Sequence, residues 1–89
     1  MSEYKRKDQM KDFWFLFINA KKIVEKYEHE ISEEALESHH FIHDLIDQRL
    51  KHNIGWDEDL RITLHLMLDA VQTRIRKLRV LLDYQRETA

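Results

Sequence analysis

At 89 residues, with no cysteine, no proline and a single glycine, the chain has room for one modest core and no disulfide to staple it. Charged residues make up 36% and hydrophobic residues 43%, the balance of a long-helix protein, and the net charge of −2 argues against general attraction to nucleic acid or anionic lipid. The longest apolar run, Phe13 to Ile18, is six residues and too short to span a bilayer. The charged stretch before it lacks the small-residue cleavage site of a signal peptide, so the expectation is a soluble, cytoplasmic protein.

Residues 3–28 are predicted to form a first helix. Met10, Phe13, Leu16, Phe17, Ala20, Ile23, Val24 and Tyr27 recur at spacings of three and four, which places them on one face. Trp14, Phe15 and Ile18, with Tyr4, project roughly 100–200° away from Phe13, on the side where Lys11, Lys22 and Glu25 are expected to meet water.

Ser32 then has the chemistry of an N-cap, because its hydroxyl can accept from the free amides of the next turn. Glu33 and Glu34 come next, where the positive end of a helix dipole favours acid. The second helix is predicted over residues 33–52. Its apolar arc is Ala35, Leu36, Ile42, Ile46 and Leu50, broadened by Phe41 and Leu45, with His39 and His43 at the edge of the arc.

Asn53-Ile54-Gly55-Trp56 makes the second break, with Gly55 supplying a left-handed conformation and Asp57 able to cap the third helix. That helix is predicted over residues 57–86. One apolar seam runs through Leu60, Leu64, Met67, Leu68, Val71, Ile75, Leu78 and Leu82, and a second, thinner line through Ile62, Leu66, Ala70, Thr73, Val80 and Tyr84. Short connections imply antiparallel neighbours, so the expected fold is an all-α, three-helix up-down-up bundle in one domain. The middle helix is expected to be the shortest, leaving the ends of the outer pair uncovered.

Three kinds of site are worth weighing. His39 and His43, four apart, share a helix face and so have the spacing of two ligands to one metal ion. His40 with Glu37 and Asp44 forms a second carboxylate–histidine cluster on the polar face, and Asp47 lies one turn on. Together they are the residues that would hold zinc or iron in a metal- or small-ligand-binding bundle. Against this, zinc needs three or four ligands and these pairs also read as ordinary i,i+4 contacts, so no cofactor is expected. His65 and Asp69 of the third helix are expected to point away from the core. The basic residues Arg74, Arg76, Lys77, Arg79 and Arg86 are the nucleic-acid candidates, but at helical spacing they scatter around the circumference and form no stripe. With no cysteine nucleophile and no glycine-rich phosphate loop, no enzyme chemistry is expected.

The apolar outliers weigh more. Trp14, Phe15 and Ile18, with Ile62, Leu66, Val80 and Tyr84, exceed what a plain three-helix core can hold, and a contiguous apolar patch needs a cover. The expectation is a small, non-enzymatic interaction or regulatory protein. It would self-associate, most simply as a homodimer, and bind a protein partner through these faces.

Overall fold

The structure, a computed structural model, describes residues 5–53 and 55–88. Among them are three helices and no strand: α1 (Arg6–Lys26), α2 (Glu33–His52) and α3 (Glu58–Thr88). Each helix packs against the other two, α2 most heavily against α3, and the molecule measures 57 × 19 × 18 Å.

The helix ends arise from local chemistry. Ser32 Oγ accepts from Ala35 N at 3.1 Å, which starts α2. Gly55 has a φ of +94°, a conformation that a side-chain-bearing residue adopts only at a cost, and it turns the chain between α2 and α3. Helix α1 stops at Lys26, two residues short of the expected end. At Tyr27 the backbone leaves the helical region, and the Glu28 N–H reaches back only three residues, to Glu25 O. Lys5 is the non-helical N-cap of α1, so the helix does not start before Arg6; Glu3 and Tyr4, included in the expected helix and patch, lie outside the described residues.

Leu16, Ile42, Ile46 and Leu64 are sealed from solvent at the centre, with Phe13, Trp56, Val71 and Ile75 around them. A second, smaller cluster of Tyr27, Ala35 and Leu78 lies where the end of α1 meets the start of α2. The α3 seam is as expected: Leu60, Leu64, Val71, Ile75, Leu78 and Leu82 are all buried, with Met67 and Leu68 packed beside them. Phe41 is a correction, since it stands 65% exposed and contributes nothing to the arc of α2. It lies more than 100° round the helix from the Ala35–Ile42–Ile46 line, on the far side from α3.

The ends are tied by polar contacts that also fix which ends lie together. Arg6, in the first turn of α1, donates to Asp57 at 2.6 Å and to Asp59 at 3.0 Å, at the start of α3. Arg49 and Asn53, at the end of α2, both donate to Asp12 of α1, at 3.0 and 3.1 Å. Arg86, near the end of α3, pairs with Glu33 at the start of α2. The middle helix is the shortest, as expected, but by one residue only: α1 and α2 have 21 and 20 residues, so α1 is not a long partner to α3, which alone is long, with 31. At about 1.5 Å per residue, α3 outruns the other two by roughly 15 Å. Tyr27, just past α1, is level with Arg74, which donates to its carbonyl, so α3 beyond Leu78 continues with no α1 beside it.

Candidate interaction surface and histidine cluster

Several outward residues of α1 and α3 are apolar where solvent should select polar ones. Trp14, Phe15 and Ile18 are each nearly half exposed. Ile62 is similar, and Leu66, Val80 and Tyr84 are more than 60% exposed. The two lines share a level at one end of the molecule. Because Arg6 binds Asp59, Trp14 lies about 12 Å along α1 from that contact and Leu66 about 10 Å along α3. Val80 and Tyr84 belong to the stretch of α3 beyond the end of α1.

The exposed aromatics of α1 are held in place. Trp14 meets the rings of Phe13 and Phe17 edge-on, with centroids at 5.6 and 5.5 Å, and Phe13 and Phe17 stack at 6.0 Å. Phe13 is a core residue, so the indole is braced from inside. Phe15 lies under the guanidinium of Arg49 at 5.8 Å, and that guanidinium is itself anchored by Asp12. Side chains already ordered in the free protein lose little entropy when something covers them.

The histidines are distributed differently from the expectation. His39 is at the middle of the α2 seam and fully buried. Its Nδ1 faces Ala35 O at 2.7 Å, and its Nε2 receives the Nε–H of Arg74 at 3.1 Å. An arginine only donates, so Nε2 carries the lone pair and Nδ1 the proton. Burial lowers the His39 pKa below the ordinary imidazole value; the Ala35 carbonyl opposes this in part, and the charges of Arg74 and His40 add to it. His43 is half-buried, with Nδ1 3.3 Å from Asp44. Both nitrogens of His39 are engaged within the protein, which leaves it no lone pair for an ion shared with His43.

His40 turns toward α3, where Arg79 reaches its Nε2 at 3.1 Å, while Glu37 is exposed and the exposed Asp44 lies beside His43 instead. Asp47 binds Lys51 at 2.9 Å, and this contact lowers its pKa; His43 and His65 add to the effect. His65 is exposed and points away from the core as expected, yet lies near enough to Asp47 of α2 for its charge to act on that carboxylate. Among the described residues no group of three or more His, Asp or Glu side chains is arranged to hold a metal ion.

Arg74, Arg79 and Arg86 are each committed to partners inside the molecule. Among the described residues no helix is long and apolar enough to cross a membrane. No protein-family model, curated protein or solved structure matches this chain.

Proposed function

We propose that this chain is a non-enzymatic interaction protein, an up-down-up bundle that pairs with a second copy and docks a protein partner through the outward faces of α1 and α3. The observation that carries this reading is the set of exposed side chains Trp14, Phe15, Ile18, Ile62, Leu66, Val80 and Tyr84. Large aromatic groups such as Trp14 and Tyr84 dominate interface energies when they are pre-ordered and then desolvated, with aliphatic neighbours excluding water around them. Trp14 and Phe15 meet the first condition, through Phe13 and Phe17 in one case and Arg49 in the other.

Two regions divide the work. The level of α1 and α3 that carries Trp14 and Leu66 presents exposed apolar side chains from both helices, suited to a two-fold contact in which each copy covers the other's. The far stretch of α3, with Val80 and Tyr84, is a single helix edge that suits docking in a groove of a partner. The chemistry is complementarity of shape and apolar surface, with no bond made or broken.

Light scattering on the eluted protein at about 100 μM, combined with circular dichroism, tests the self-association half. The wild type is expected to run as a dimer, and Phe15→Glu and Leu66→Glu as monomers of unchanged helicity. A monomeric wild type, or a Phe15→Glu variant that associates like the parent, would overturn it.

A further inference from the structure

The small cluster where α1 ends is closed by a polar clasp that works in one protonation state. Arg74 of α3 donates through Nε to His39 of α2 and through Nη2 to the Tyr27 carbonyl at 3.2 Å, just past the end of α1. That carbonyl also accepts from Glu30 N at 3.3 Å, and the Tyr27 ring lies 6.4 Å from the imidazole. One guanidinium thus fastens three chain segments. The fastening requires a lone pair on His39 Nε2, since protonation turns that atom into a donor facing a donor and sets two cations about 3 Å apart.

The surroundings offer a charged His39 little relief. Of the groups acting on it, Arg74 from α3 and His40 from its own helix oppose the charge and the Ala35 carbonyl alone favours it, while the α1 side presents the Tyr27 ring. Arg74, by contrast, has somewhere to go. It lines a cavity of about 140 Å³ beside the α1–α2 connection, whose wall also carries Glu28, Glu30 and Lys77. Glu28 and Glu30 are carboxylates able to receive the guanidinium once His39 rejects it.

We infer that the His39–Arg74 contact is a pH-gated clasp: protonation of His39 drives Arg74 toward Glu28 and Glu30 and frees the end of α1 from α3. The packing allows such an opening to be local. Tyr27, Ala35 and Leu78 form a cluster distinct from the main core and joined to it through the half-buried Ile23 and Leu36, so the end of α1 lifts by giving up the Ile23 contacts while Leu16, Ile42 and Leu64 stay packed. The inference goes beyond the proposed function, because the clasp lies within one copy of the chain and needs no partner.

Amide hydrogen exchange followed by NMR between pH 7.5 and 4.5, on protein dilute enough to be monomeric, tests it directly. Protection factors over residues 23–27 are expected to fall about ten-fold per pH unit once His39 titrates, while those of residues 64–71 hold. His39→Gln keeps an acceptor for Arg74 and cannot titrate, so its protection should not respond to pH. Arg74→Gln should loosen residues 23–27 at every pH and raise the His39 midpoint. Uniform loss of protection across all three helices, an unchanged pH response in His39→Gln, or no response in the wild type would each overturn the clasp. If His39→Gln fails to fold, the wild type still decides, because the midpoint of the His39 ring proton shift must coincide with the loss of protection at residues 23–27.

Discussion

Gln9 holds the α2–α3 turn from both sides: its Oε1 accepts from Asp57 N at 2.7 Å while its Nε2 donates to Gly55 O at 3.0 Å. A buried amide on α1 therefore serves as the missing backbone partner for a turn between two other helices. Gln9→Leu keeps the volume and removes both bonds, leaving an amide and a carbonyl without their partner. Urea unfolding should show a loss of about 1–3 kcal/mol through a lower midpoint at unchanged slope. A variant as stable as the parent would mean that water replaces the side chain at no cost.

Gly55 offers a cleaner separation of causes. A Cβ built there meets nothing within 4 Å, so space is no obstacle, and its φ of +94° is the whole objection to a side chain. Gly55→Ala should therefore cost about 1–2 kcal/mol through backbone conformation alone. Gly55→Asn should cost less than Gly55→Ala, because asparagine tolerates positive φ better. Equal losses in the two variants, measured by thermal unfolding, would point to a contact the structure does not contain.

Much of this architecture is legible in the spacing of apolar residues, since the α3 seam and the Ser32 cap need only periodicity and local hydrogen bonding. The two buried polar residues escaped although their signal was present. Gln9, Phe13, Leu16 and Ala20 are spaced by four, three and four, and so are Ala35, His39, Ile42 and Ile46; all eight are buried. Helices α1 and α2 thus each have one buried polar residue in the seam. Polarity argued for the edge or the surface, and only the tertiary partners, Gly55 and Asp57 for Gln9 and Arg74 for His39, make burial acceptable. Those partners lie 35 to 48 residues away in the chain, where periodicity carries no information. Of the candidate site, the exposed apolar residues were legible as excess over one core, whereas the division of the histidines depended on how α2 is rotated against α3.

Stability should depend on pH in a window that carboxylates do not explain. The His39 pKa lies below the ordinary value of about 6.5 in the folded protein, so between those two values the unfolded chain binds more protons. Stability then rises with pH across that window: it is complete above about 6.5 and lost as the pH falls toward the folded value. Asp47 and Asp59 are also lowered, by Lys51 and Arg6 respectively, but their contribution is lost only below about 4, and solvent screens both pairs. Urea midpoints at pH 7.5, 6.0 and 5.0 should decline for the wild type and stay level for His39→Gln. Parallel declines in the two proteins would assign the acid sensitivity elsewhere.

Leu64 and Leu66 sit two residues apart on α3 and should behave as opposites. Leu64 is sealed from solvent, and Leu66 is 63% exposed. Leu64→Ala opens a cavity between α3 and its neighbours and should cost about 3 kcal/mol. Leu66→Ala removes a side chain that touches mostly water, so in dilute protein it should change stability by no more than about 0.5 kcal/mol. Under the proposed pairing, unfolding at high concentration is linked to dissociation, and the Leu66→Ala midpoint should fall below the parent's by an amount that grows with protein concentration. Leu64→Ala should instead show its full deficit at every concentration, because its loss lies within one copy. A concentration-independent deficit in Leu66→Ala would place that side chain inside the monomer's own core and remove it from the interface.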